Sequence, residues 1–126
     1  MDHNPVGWFE IYVQDMDRAK RFYESVFQVV LERLTSPPGM TLELWCFPMI
    51  KDQRGAAGAL VKMDGGPAGG NGVLVYFMCT DCAVEATRAA MAGGEVVREK
   101  MSIGQYGFIA LVRDTEGNMI GLHSMQ

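Results

Sequence analysis

The chain is poor in three things, and each shortage removes a class of function. Cysteine occurs only three times in 126 residues, an odd and small number that does not make the disulfide framework of a small secreted domain. Positive charge is scarce, with 11 Lys and Arg against 15 Asp and Glu, giving a formal net charge of −4. Without a basic run there is no electrostatic footprint for nucleic acid. Long apolar runs are missing too. No stretch approaches the roughly 20 residues of a membrane helix. The opening Met1-Asp2-His3-Asn4-Pro5 lacks the basic and then apolar order of a signal peptide. The expectation is a cytoplasmic protein with neither a membrane nor a nucleic-acid partner.

What is present is globular: 48% hydrophobic and 21% charged residues, in a length that suits one compact domain with a real core. Ten methionines are many for such a chain. Met is flexible and polarisable, and serves both as core filler and on adaptable apolar binding surfaces.

The strongest signal is an internal repeat. Residues 7–13 (Gly-Trp-Phe-Glu-Ile-Tyr-Val) have a strand's β-branched and aromatic character. Asp15 is placed to cap a helix, in which Met16, Ala19, Phe22, Tyr23, Val26 and Phe27 recur at helical spacing. A short strand is expected at 29–34 and a longer one at 41–47. Another follows at 56–62, reached through the loop 48–55. The second half repeats the order: strand 73–79, cap Asp81, and a helix burying Cys82, Ala86, Ala89 and Ala90. Gly93 and Gly94 then supply the permissive backbone of a helix end. Strands follow at 95–98, 107–113 and 119–124. A repeat of about half the chain points to a duplicated module. Modules over about 5–63 and 73–126 are expected within a single domain of 1–126. The glycine-rich stretch 64–72 reads as the connection between them.

Glu10-Ile11-Tyr12-Val13-x-Asp15-Met16-x-Arg18-Ala19-x-x-Phe22-Tyr23 resembles the opening of the vicinal-oxygen-chelate superfamily of glyoxalases, bleomycin-resistance proteins and extradiol dioxygenases. Arg113-Asp114-x-x-Gly117-Asn118-x-Ile120 is similar to its closing hairpin. The resemblance implies an α+β fold of two tandem βαβββ modules. Their curved mixed sheet would surround a cleft, with the helices outside, and many such proteins are homodimers.

Alternation along each strand assigns the faces. Phe9, Ile11 and Val13 belong under the helix, which turns Trp8, Glu10 and Tyr12 to the cleft. In the matching strand Val75, Phe77 and Cys79 go under the helix, and Leu74, Tyr76 and Met78 face the cleft. Leu42, Leu44 and Cys46 read as the covered face of their strand, leaving Glu43 and Trp45 for the cleft. In the last strand Ile120 and Leu122 pack inward, and Gly121 and His123 turn outward. The expected binding residues are therefore Trp8, Tyr12, Glu43, Trp45, Leu74, Tyr76 and Met78: apolar walls with a few placed polar groups, as a small-molecule pocket requires.

The metal-dependent relatives place His or Glu ligands at positions that fall here on Trp8, Leu74, Gly121 and Ala59 or its neighbour. None offers a nitrogen or carboxylate ligand, so no cofactor is expected on resemblance. An offset site is the alternative, with Glu10 and His123 holding a divalent ion. Without a metal they would serve as the catalytic acid–base pair. Cys79-Thr80-Asp81-Cys82 raises a third chemistry, thiol–disulfide exchange at a helix start. Against it, the first copy holds Val13 and Met16 at the matching positions, which explains both cysteines as apolar filler. Three functions follow: a lyase or isomerase of glyoxalase-like fold, a protein that sequesters a small toxic or antibiotic molecule, or a redox protein acting through Cys79 and Cys82.

Overall fold

The structure, a computed structural model, describes residues 2–66 and 72–126. Most of the expected glycine-rich connection, 67–71, lies outside the described residues.

Two aspartates decide where the helices begin. Asp15 has an extended backbone, and its carboxylate accepts from the Arg18 N–H at 3.0 Å, satisfying a donor that the first turn would leave orphaned. Helix α1 then runs over Met16–Phe27 and stops at Gln28, whose φ of 54° is left-handed. Asp81 starts α2 (Cys82–Met91) by accepting from the Ala83 N–H at 3.0 Å, and it also accepts from Lys100 Nζ at 2.9 Å. Past this helix Gly93 takes φ 98°, which a side chain would oppose.

The chain divides into two compact units, Trp8–Val73 and Leu74–Gln126, the latter with the residues before Trp8. The first unit draws on β1 (Val6–Tyr12), α1, β2 (Glu32–Leu34), β3 (Glu43–Cys46) and β4 (Ala57–Lys62). Its strands lie in the order β2-β3-β4-β1, with β1 parallel to β4 and the other pairs antiparallel. The second holds β5 (Val73–Met78), α2, β6 (Glu95–Ser102), β7 (Phe108–Arg113) and β8 (Met119–Ser124). Its order is β5-β8-β7-β6, again with one parallel pair, β5 with β8. The chain is thus α+β, a βαβββ module made twice.

In the first unit α1 lies on one sheet face, where Met16, Leu31 and Leu60 are buried among Ile11, Val13, Ala19, Tyr23, Trp45 and Phe47. In the second, Cys82 and Ala86 of α2 pack on Ala110, Val112 and Leu122, with Phe77 and Cys79 beside them. Among the expectations that change, the strand at 41–47 covers only Glu43–Cys46 and the strand at 95–98 extends to Ser102. The strand expected at 29–34 shrinks to Glu32–Leu34, because the Glu24 carboxylate takes the Leu31 N–H at 2.8 Å and Leu31 turns into the core. The apolar stripe of α1 is only half covered, since Phe22, Val26 and Phe27 are exposed. Ala90, expected on the buried side of α2, is exposed as well.

Candidate functional site

Strand pairing fixes which side chains share a surface, because residues opposite one another in register point the same way. Glu10 stands opposite Ala59 and Tyr12 opposite Val61, while Leu44 and Cys46 stand opposite Val61 and Ala59 from the other side. The face away from α1 therefore carries Trp8, Glu10, Tyr12, Leu44, Cys46, Ala59 and Val61. Trp8, Tyr12, Leu34 and Leu42 pack around its buried members.

Glu10 is an ionisable group of this face, which Glu32 shares opposite Cys46, and its two neighbours on the strand donate to it. Trp8 Nε1 donates to Oε2 at 3.2 Å, and Tyr12 OH donates to Oε1 at 2.7 Å. The period of two along a strand puts all three on one side. Burial, and then the charge and hydrogen bond of Glu10, push the Tyr12 phenol far above its usual range. Tyr12 therefore remains a proton donor to the carboxylate. A half-buried carboxylate fixed by two neutral donors can accept or return a proton at a defined place on an apolar surface.

Two expected members of this face are elsewhere. Trp45 pairs in register with Leu60 and sits in the core beneath α1, with Lys20 Nζ 3.3 Å from its ring centre. Glu43 is on the same side, accepting from Trp45 Nε1 at 3.0 Å. The expected strand phase was off by one residue, which exchanges the two faces. Leu42, Leu44, Trp45, Cys46 and Phe47 form a nearly continuous apolar run, so alternation has no phase to offer there. Leu44, Cys46 and Val61 are the buried members of this face that sequence reasoning missed.

In the second unit Tyr76 and Met78 stand opposite Gly121 and His123, on the side away from α2. Leu74 shares that side by alternation. Leu74 and Tyr76 are buried, and the Tyr76 ring lies directly on Gly121, where a Cβ would collide with it. His123 is half-buried, and its Nε2 is 2.6 Å from the Tyr106 carbonyl oxygen.

The metal positions implied by the resemblance do not fit an ion. Ala59 is fully buried, the Tyr76 ring occupies the space above Gly121, Leu74 is apolar, and the Trp8 indole N–H is committed to Glu10. Among the described residues no three His, Cys, Asp or Glu side chains gather into a ligand group. The thiol chemistry fits no better. Cys82 is completely buried in the second core. Burial, followed by the nearby Glu85 carboxylate, pushes the Cys79 thiol up to about 11, whereas a reactive thiol needs a lowered value.

Comparison with known proteins agrees with this architecture. The model of the Glyoxalase/Bleomycin resistance protein/Dioxygenase superfamily matches residues 6–122, and the chain belongs to that superfamily. No curated protein sequence matches it. Among solved structures it is similar to methylmalonyl-CoA epimerase from Mycobacterium tuberculosis, with TM-score 0.69 and 14% identity over 97% of this chain and 88% of that one. A Streptomyces coelicolor methylmalonyl-CoA epimerase in complex with 2-nitronate-propionyl-CoA gives 0.68 and 16%, over 96% of each chain. A hypothetical protein from Bacillus halodurans C-125 gives 0.70 and 10%, over 96% and 94%. At such identities the likeness is one of fold, the glyoxalase-like fold of two βαβββ modules. Among the described residues no helix is long and apolar enough to cross a membrane.

Proposed function

We propose that the protein binds a small organic molecule on the face of the first module turned away from α1 and moves a proton on it, as a lyase or isomerase of glyoxalase-like fold. The observation that carries this reading is the Glu10 carboxylate, held by Trp8 Nε1 and Tyr12 OH beside the apolar cluster of Leu44, Cys46, Ala59 and Val61. Apolar walls supply affinity, and one fixed ionisable group supplies direction. Glu10 is the proton-transfer residue, and Trp8 and Tyr12 orient it and contact the ligand. Within the second module, taken by itself, His123 is proposed as a second titratable group, with Leu74, Tyr76 and Met78 as apolar contacts on its own face. Glu43 and Trp45 drop out of the contact set, because α1 covers their side of the sheet. The protein is taken to be a cytoplasmic homodimer.

Methylmalonyl-CoA, named with the structurally similar epimerases, is the first substrate to try, followed by other molecules with an acidic C–H next to a carbonyl. Incubation in D2O, followed by proton NMR, should show deuterium entering at that carbon. Glu10→Gln should slow the exchange about 100-fold or more, the usual worth of a general acid or base. The second reading is sequestration, which the Trp8 and Tyr12 walls favour. It predicts binding without exchange, with affinity unchanged in Glu10→Gln. Metal analysis of the purified protein tests the offset ion: a stoichiometric divalent metal that is lost in Glu10→Gln would make Glu10 a ligand and not a proton carrier.

A further inference from the structure

The last strand carries the second histidine of the chain, and a turn from another part of the same unit sets its chemistry. The 3-10 turn Gly104–Tyr106 lies between β6 and β7. The turn is closed by the Ile103 N–H donating to the Gly107 carbonyl at 2.8 Å. Gly104 and Gly107 have φ of 69° and 98°, and a Cβ on Gly107 would run into the Ser124 carbonyl. Only glycine lets the backbone pass there. This geometry brings the Tyr106 carbonyl oxygen to within 2.6 Å of His123 Nε2. A carbonyl oxygen can only accept, so the ring nitrogen facing it must carry the hydrogen.

We infer that the 103–107 turn locks His123 as its Nε2–H tautomer and leaves Nδ1 as the nitrogen that meets a ligand. The histidine shares its strand face with Met78 and Ile109, its register partners on β5 and β7. Its polar offering to a bound molecule is then a single lone pair on an apolar surface. Such a lone pair selects a group that brings its own proton, such as a hydroxyl, an N–H or an acidic C–H, over a carboxylate or phosphate. Tyr106 acts here as a positioning residue, through its backbone carbonyl and not its ring. The assignment deepens the proposed function by naming the chemistry its second titratable group accepts, and rests on that reading only for the ligand.

The tautomer is tested on the free protein, so its failure is separable from a failure of proton transfer. In a 1H–15N spectrum optimised for imidazole at pH 7.5, His123 should give an Nε2–H cross-peak that survives exchange with water. Its Nε2–H form should dominate by about tenfold, the ratio that ~1.4 kcal/mol of hydrogen bonding yields. His3 is exposed and makes the opposite contact, Nδ1 with the Asn4 carbonyl at 2.8 Å, so it serves as the internal contrast. Tyr106→Ala should leave the His123 signal in place, since the carbonyl stays. His123→Gln puts an amide N–H where Nε2 stood and should unfold at the parent's urea midpoint, whereas His123→Asn, too short to reach the carbonyl, should unfold earlier. A dominant Nδ1–H form, an Nε2–H lost to fast exchange, or equal destabilisation by Gln and Asn would overturn the assignment.

Discussion

The two modules share a backbone plan and differ in what they put on the faces turned away from their helices. In the first, β1 offers Trp8, Glu10 and Tyr12, with a carboxylate gripped by two donors. In the second, the matching stretch of β5 offers Leu74, Tyr76 and Met78, and the Tyr76 ring is spent on packing over Gly121. The helices diverge as well. α1 presents aromatic side chains, several of them exposed, while α2 is rich in alanine and seats the fully buried Cys82 on its sheet. The lesson is that duplication preserved what the backbone needs, a capped helix on a mixed sheet, and freed the other face to change. Chemistry that depends on Glu10 belongs to one copy only.

That contrast can be tested where the copies match. The largest effect is expected from core truncation at equivalent leucines. Leu60→Ala, at a fully buried site, should cost about 2–5 kcal/mol, and Leu122→Ala a cost in the same range. Urea unfolding with unchanged m-values checks both. Next come Gly121 and its counterpart Ala59. Gly121→Ala should cost about 1–3 kcal/mol, because the new methyl must displace the Tyr76 ring. Ala59→Gly should cost less, about 0.5–1 kcal/mol of strand flexibility. Equal costs at the two sites would show that these two faces are packed alike after all.

A smaller effect separates Glu10 from its setting. In Glu10→Gln the Tyr12 phenol should ionise at lower pH than in the parent, read by phenolate absorbance. The return toward the ordinary value should be partial, because burial is the larger cause of its elevation. The smallest difference lies in the caps. The backbone N–H of Arg18 and the ammonium of Lys100 hold the Asp15 and Asp81 carboxyls below their usual 3.8. A lowered value means that the folded state binds fewer protons. Each contribution is therefore present above the unfolded value and lost as pH falls through the lower folded one. Asp81→Ala should shift the urea midpoint at pH 7 more than Asp15→Ala, since it also loses the Lys100 contact, and both shifts should fade below pH 3.8.

Local chemistry made much of this legible from residues alone. Aspartate before an apolar helical stripe marks a helix start wherever it occurs, so Asp15 and Asp81 placed both helices and exposed the repeat. Alternation in 8–13 gave that strand its faces, because Glu10 marks one side as different, and the repeat carried the assignment to the wholly apolar 74–79. The strand around 43–46 had no such difference. Its apolar run satisfies either phase, and only pairing with β4 decided that Trp45 lies under α1 and Leu44 on the opposite face. The half-exposed stripe of α1 was hidden for a related reason, since periodicity reports a preference for burial but not how much partner surface exists to meet it.

The sequence by itself determined the duplicated βαβββ order and the helix caps. These follow from residue types at fixed local spacings. Only the tertiary structure decided that Trp8 and Tyr12 close on Glu10, that Tyr76 is occupied by Gly121, and that a carbonyl 17 residues away addresses one nitrogen of His123. Those contacts depend on strand register, rotamer and loop path. All three are settled by packing across distant segments and leave no periodic trace in the chain.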